Sequence, residues 1–212
     1  VEVPGVRVEF AEDGGARNSQ PPRSDNLLGE LTAVKRETAI RLGVFSVLVA
    51  LGVAVRLVST TPNFSAVAAA SLFAGFYFRN RVTALLVPLA IMTISDQFLG
   101  GYTRMVMIAV YASLLVPLAW SRVMRRGLTP LRVGSAALSS SVAFYLLTNL
   151  AVWFAWYEHT WNQLLHCYVL ALPFFGYTLA SDLLFSASFF ALYVLAVRLR
   201  GARLAPPALN AA

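Results

Sequence analysis

The sequence predicts an all-α, polytopic integral membrane protein with six transmembrane helices, and three observations carry that reading. Of 212 residues, 58% are hydrophobic and 13% are charged, about half the ~25% charged share of a soluble domain. The mean hydropathy is +0.67. The apolar residues gather into runs separated by short polar or basic breaks, and ~20 residues at ~1.5 Å each cross the ~30 Å hydrocarbon layer.

The first run, Ile40 to Val58, is long enough to cross the bilayer. The second, Phe64 to Phe78, is shorter; Pro62 can open it because a proline in the first helical turn loses no hydrogen bond. It stops at Arg79-Asn80-Arg81. The third, Val82 to Leu99, carries Asp96 near its exit and runs into the Gly100-Gly101 turn. A fourth extends from Met105 to Met124 and meets a basic break of Arg122, Arg125 and Arg126 with Gly127 and Pro130. The fifth is Val133 to Trp156, followed by a polar and aromatic connection from Tyr157 to His166. The sixth, Leu170 to Val197, is expected to have a bent entrance at Pro173 and Gly176, and Arg198, Arg200 and Arg203 close it.

These runs divide the chain into a hydrophilic tail over 1–38, a six-helix membrane domain over 39–199 and a short tail over 200–212, expected to lack regular structure beyond Pro206. Within the first tail, Leu27, Leu28, Leu31 and Val34 recur at helical spacing from Asp25 onward and predict a short amphipathic helix. It would either lie on the membrane surface or dock a partner through Leu27 and Leu31. Residues 1–38 include no apolar h-region, so no secretory leader is expected in them.

The formal charge of +7 does not indicate nucleic acid, because the arginines flank apolar runs and form no continuous basic face. In a six-span arrangement Lys35, Arg36, Arg41, Arg79, Arg81, Arg122, Arg125, Arg126, Arg132, Arg198, Arg200 and Arg203 fall on one side. Arg56 and Arg104 fall on the other. Because loops that face the cytoplasm accumulate Lys and Arg, both termini are expected inside a bacterial cytoplasmic (inner) membrane. Trp153, Trp156 and Trp161 then sit at the outer interface, in contact with membrane lipid, and Trp120 at the inner.

Asp96 and Asp182 lie within apolar runs, in TISDQFLG and LASDLLFS. An ionised aspartate at the centre of a lone helix costs about 2.5–3.5 kcal/mol on insertion scales, so each should face the bundle interior or a wet cavity. Two readings are open: they line an outward pocket, accepting hydrogen bonds from a ligand or holding Arg56 and Arg104 in place, or each caps a neighbouring helix or pairs with an arginine for structure alone. Asn63, Phe64, Tyr102, Arg104, Asn149, Trp153, Trp156, Tyr157, His159, Trp161 and Tyr177 gather at the same end. Aromatic walls with a few polar groups suit a small-molecule pocket, and equally an aromatic belt at the headgroups. His159, His166 and Cys167 match no zinc spacing, and one cysteine builds no disulfide framework. No phosphate loop, dinucleotide fingerprint or GxSxG is present. No metal, cofactor or enzymatic role is therefore expected, and any uphill transport would draw its energy from another subunit.

Small residues recur at four-residue spacing in the first run, at Ser46, Ala50 and Ala54, and in the second, at Ala66, Ala70 and Ala74. Such ridges let helices approach closely. They would pack the first two spans together or offer a face to another subunit.

The stretch PNFSAVAAASLFAGFYFRNRVTALLVPLAIMTISDQFLG, with TNLAVW and ALPFFGYTLASDLLFSA further on, resembles a family of uncharacterised bacterial multi-pass membrane proteins similar to the S components of energy-coupling factor transporters. The resemblance runs from about Arg56 to Ala191. It implies a six-helix S-component-like bundle that binds a vitamin or cofactor-like molecule near the outer surface and works with a transmembrane coupling subunit and ATPases. The AxxxA coupling motif of that family would here be Ala50 and Ala54. One solitary branch handles cobalamin through a cysteine ligand to cobalt; Cys167, in the approach to the sixth run, does not match that position. The long N-terminal tail departs from the compact S-component pattern. On these grounds the chain is expected to be a substrate-binding subunit of a small-molecule uptake system, with Asn63, Phe64, Asp96, Tyr102, Arg104, Asn149, Trp153 and Asp182 at the ligand and Ser46, Ala50, Ala54, Leu27 and Leu31 toward partners. The alternative is a non-transporting accessory subunit of a larger bioenergetic or photosynthetic membrane complex.

Overall fold

The computed structural model describes residues 24–100 and 103–204, with backbone alone at 24–28 and 201–204. The expectations for residues 1–23, for Gly101 and Tyr102, for the Leu27 side chain and for the tail beyond Leu204 lie outside the described residues. Among the described residues all regular structure is helical: α1 (Ser24–Val58), α2 (Val67–Tyr77), α3 (Arg81–Leu99), α4 (Arg104–Ser113), α5 (Leu115–Ala119), α6 (Ser121–Arg125), α7 (Pro130–Trp156) and α8 (Trp161–Leu204). Two compact units meet after Ile40. In the first, Gly29 to Ala39 are helical and exposed on every face. The rest of this description concerns the second.

Among the described residues, five stretches are long and apolar enough to cross a membrane: Gly29–Val58, Arg81–Leu99, Arg104–Arg125, Pro130–Trp156 and Trp161–Arg200. Their outward faces carry large apolar side chains, among them Val47, Leu86, Ile108, Leu146 and Leu192, the last 63% exposed. Apolar surface this extensive on a soluble chain would be an aggregation liability; against lipid it is the ordinary exterior. The chain is a membrane protein built of several apolar helices.

The second run is where the structure departs most from expectation. α2 has 11 residues, a rise of ~16 Å or about half the hydrocarbon thickness. It begins three residues later than expected, because Thr61 to Phe64 form a turn first. The Phe64 N–H donates to the Thr61 carbonyl at 3.3 Å, with Pro62 at the second position and Asn63 at φ +58° in the third, the composition of a type II turn. Every residue of α2 from Val67 to Gly75 is buried apart from a half-buried Ala68. Phe73, Phe76 and Tyr77 pack on Phe189, Phe190 and Tyr193 of α8, with ring centroids as close as 5.1 Å. Gly75 lies against Leu118 and Ser121, where a Cβ would sit 3.2–3.4 Å from its neighbours. α2 is thus the central post of the bundle.

Local chemistry sets the other boundaries. The Asn80 side chain caps α3 by accepting from the Val82 N–H at 2.8 Å, and Gly100 ends it at φ +86°, where a side chain would be strained. The segment from Arg104 to Arg125 breaks at Leu114 and Trp120. Pro117, lacking an N–H, disrupts the helical ladder at the first break, and there the Ser71 hydroxyl of α2 donates to the Leu114 carbonyl at 3.0 Å. Thr129 accepts from the Arg132 N–H ahead of Pro130 at the first position of α7. α7 and α8 form the most extensive helix pair, tied by Tyr145 donating to the Tyr168 carbonyl and Tyr168 to the Leu146 carbonyl, both at 2.7 Å.

Two further expectations are corrected. The connection after α7 is shorter than Tyr157 to His166, since α8 starts at Trp161 and is continuous through Pro173. The small ridges of the first two runs do not face each other: Ala66, Ala70 and Ala74 are fully buried, whereas Ser46, Ala50 and Ala54 are exposed. α1 instead turns Leu48, Gly52 and Arg56 inward. A Cβ on Gly52 would lie 2.5 Å from Ile91 Cδ1 of α3, so glycine is what allows this approach.

Candidate functional site

The end of α1, the α1–α2 turn, the end of α3, the first turns of α4 and facing stretches of α7 and α8 line one cavity of ≈ 430 Å³ that opens over the start of α2. Its volume is that of a site for a small organic molecule. The α1–α2 turn contributes Asn63, Phe64 and Ser65, α1 contributes Arg56, and α7 and α8 form the far wall. On that wall Phe144, Tyr145, Phe174 and Phe175 supply aromatic surface, and Thr148, Asn149, Thr178 and Asp182 supply polar groups. Helical spacing explains the composition: Thr178 and Asp182 are four residues apart, as are Phe144 and Thr148, or Tyr145 and Asn149, so each pair shares a helix face.

Asp182 is 2% exposed. Its Oδ2 accepts from the Ser141 hydroxyl of α7 at 2.6 Å, a short contact across the α7–α8 interface. The Thr148 hydroxyl donates to the Phe144 carbonyl at 2.7 Å and the Thr178 hydroxyl to the Phe174 carbonyl at 3.0 Å. Asn149 Nδ2 donates to the Tyr145 carbonyl at 2.8 Å. The two threonine hydrogens serve their own helices and leave hydroxyl lone pairs for a guest, while Asn149 keeps its second amide hydrogen and its Oδ1.

Asp96 plays a different part. Arg56 Nη1 lies 2.9 Å from Asp96 Oδ1, 2.6 Å from the Ser95 hydroxyl and 2.9 Å from Met92 Sδ. The Tyr111 hydroxyl of α4 donates to Asp96 Oδ2 at 3.1 Å, while Ser95 donates to the Ile91 carbonyl at 2.6 Å. Asp96 Oδ1 is out of hydrogen-bond alignment with the guanidinium, so that contact is coulombic. The side chains of Arg56 and Asp96 are 9% and 14% exposed, and together they join α1, α3 and α4.

The structure therefore separates the residues singled out from the sequence. Asn63, Phe64, Asn149 and Asp182 line the cavity. Asp96 sits behind Arg56 and holds it. Arg104 is exposed at the start of α4 and does not line the cavity. Trp153 donates through Nε1 to the Glu158 carbonyl at 3.1 Å and packs its ring on His159 at 5.2 Å, fastening the α7–α8 connection. Trp156, Trp161 and Tyr177 are exposed. Tyr102 is outside the described residues. Cys167 is buried, with Sγ 3.6 Å from the Asn149 carbonyl, and His159 and His166 are exposed. On the partner side, Ser46, Ala50, Ala54 and Leu31 are exposed. Arg56, named from the sequence only as a partner for the aspartates, also lines the cavity, and Phe144, Thr148, Phe174, Phe175 and Thr178 are lining residues not singled out from the sequence, although stepping one helical turn back from Asn149 and Asp182 reaches Tyr145 and Thr178.

A family model described as a family of unknown function (DUF6580) matches residues 36–205, most of the chain and every cavity residue. No curated protein and no solved structure matches it.

Proposed function

We propose, for a chain that belongs to the DUF6580 family of unknown function, the role of a substrate-binding membrane subunit that captures a small vitamin- or cofactor-like molecule, in the manner of an energy-coupling factor S component. The observation that carries this reading is the ≈ 430 Å³ cavity over the tip of α2, with aromatic walls and a buried carboxylate among its polar groups. On this reading α2 and the α1–α2 turn together complete the six-segment bundle. The basic breaks at Arg79–Arg81 and Arg122–Arg126 face the cytoplasm of a bacterial inner membrane, and the cavity opens outward. The exposed ridge of Ser46, Ala50 and Ala54 on α1 supports a membrane partner, which for an uptake system would be a coupling subunit working with ATPases. The same ridge equally supports the second reading, an accessory subunit of a larger membrane complex, in which the cavity would hold a structural lipid or remain idle. An enzymatic role is not part of either proposal.

The test is a thermal-shift and calorimetric screen of the purified protein against water-soluble vitamins, amines and related small metabolites. Capture predicts that at least one compound raises the melting temperature, as a ligand selective for the folded state must, and that Ala68→Trp, which fills the cavity, abolishes the rise. A protein silent across the panel, or equally responsive with the cavity filled, contradicts the reading.

A further inference from the structure

Resting on the reading of the cavity as a ligand site, we infer that its ligand is an organic cation whose charged nitrogen is received by Asp182 and whose body lies against the aromatic wall. The charged lining residues are Arg56 and Asp182. The guanidinium has a carboxylate partner of its own, Asp96, at 2.9 Å. Asp182 meets the Ser141 hydroxyl, on Oδ2 alone. A carboxylate placed this deep stays ionised only beside a positive partner, and a hydroxyl is not one, so a cationic guest is what would hold the charge there. Two hydroxyls of the same wall add to that demand. Thr148 and Thr178 direct their single hydrogens to the Phe144 and Phe174 carbonyls, and face the cavity as acceptors. A guest rich in N–H donors satisfies them; a carboxylate or phosphate does not. Phe144, Tyr145, Phe174 and Phe175 present ring faces suited to a cation and to an aromatic or aliphatic body.

Phenethylamine and tryptamine, cationic at pH 7, are compared with their neutral alcohol analogues 2-phenylethanol and tryptophol by calorimetry on the intact wild-type protein, so the first arm needs no variant. At least one amine is expected to bind about tenfold or more tightly than its alcohol. In Asp182→Asn, checked for folding by size-exclusion profile and melting temperature, the advantage shrinks to about twofold. Amine and alcohol binding alike, a preference for anions such as phenylacetate, or an Asp182-dependent stabilisation by sodium chloride alone each overturns the inference. If neutral compounds from the wider panel bind in a manner abolished by Ala68→Trp while no amine does, the cavity is a ligand site and only the cation assignment fails. If nothing binds, the capture reading fails with it.

Discussion

Asp96 and Asp182 are the same side chain in two settings, and the setting decides the task. Asp96 has a guanidinium on one oxygen and a phenol on the other, so its charge is used in holding α1 against α3 and α4. Asp182 is held by one serine and turned to a cavity. Both aspartates are visible in the sequence as acids inside apolar runs with Arg56 and Arg104 as candidate partners, but which acid takes which arginine is not. Arg56 lies 40 positions before Asp96, and nothing local in either run shows that their helices cross at that height. The two settings predict opposite outcomes for the same substitution. Asp96→Asn leaves Arg56 without its carboxylate, a loss of about 3 kcal/mol, and should lower the melting temperature by roughly 6–12 °C for a chain of this size. Asp182→Asn retains a Ser141 contact and breaks no ion pair, so it should leave the melting temperature of the free protein level or raised. A ligand-free melting curve for each variant checks this; equal destabilisation by both would contradict the division of labour.

At the scale of elements, the long apolar runs were legible because lipid demands continuous hydrophobicity, and α1, α3, α7 and much of α8 follow their runs. α2 was misjudged in length for a reason that hydropathy does not register: Pro62 and Asn63 complete a turn that carries Phe64 and Ser65 into the cavity rim before the helix begins. Its other end is fixed by an equally non-local device. Arg125, at the end of α6, donates to the carbonyls of Gly75 and Phe78 at 2.6 Å and of Phe76 at 3.2 Å, three acceptors that the last turn of a helix leaves open. In the sequence Arg125 is one of a basic group and reads as a topology signal; in the fold it also caps the central post. Arg125→Ala should remove on the order of 2 kcal/mol of local stability. Hydrogen exchange should then quicken in the last turn of α2, over residues 75–78, with the first turn unchanged. A uniform change across the bundle, or none, would show that the cap is dispensable.

For the whole molecule, the two ends of the bundle differ in kind. One has most of the arginines of the loops and the capped end of α2; the other has the turn at Pro62-Asn63, the aromatic fastening of Trp153 to His159, and the cavity. Sequence reasoning placed a polar and aromatic cluster at that second end, because arginine asymmetry and interfacial tryptophans both report on which loops lie together. It could not rank the cluster, since rim, belt and lining residues share a composition and are told apart by which helix face each occupies. Capture from outside requires that the cavity be wet and reachable from the side opposite the basic loops. The most direct measurement is side-specific labelling in spheroplasts, with a membrane-impermeant maleimide and single cysteines in a Cys167→Ser background. Ala68→Cys, at the cavity floor, should react in intact spheroplasts and slow when a panel hit is bound, whereas Arg79→Cys should react only after permeabilisation. A cysteine at position 68 that reacts only from the cytoplasmic side, or stays inert from both sides in a folded protein, would contradict an outward-facing capture cavity.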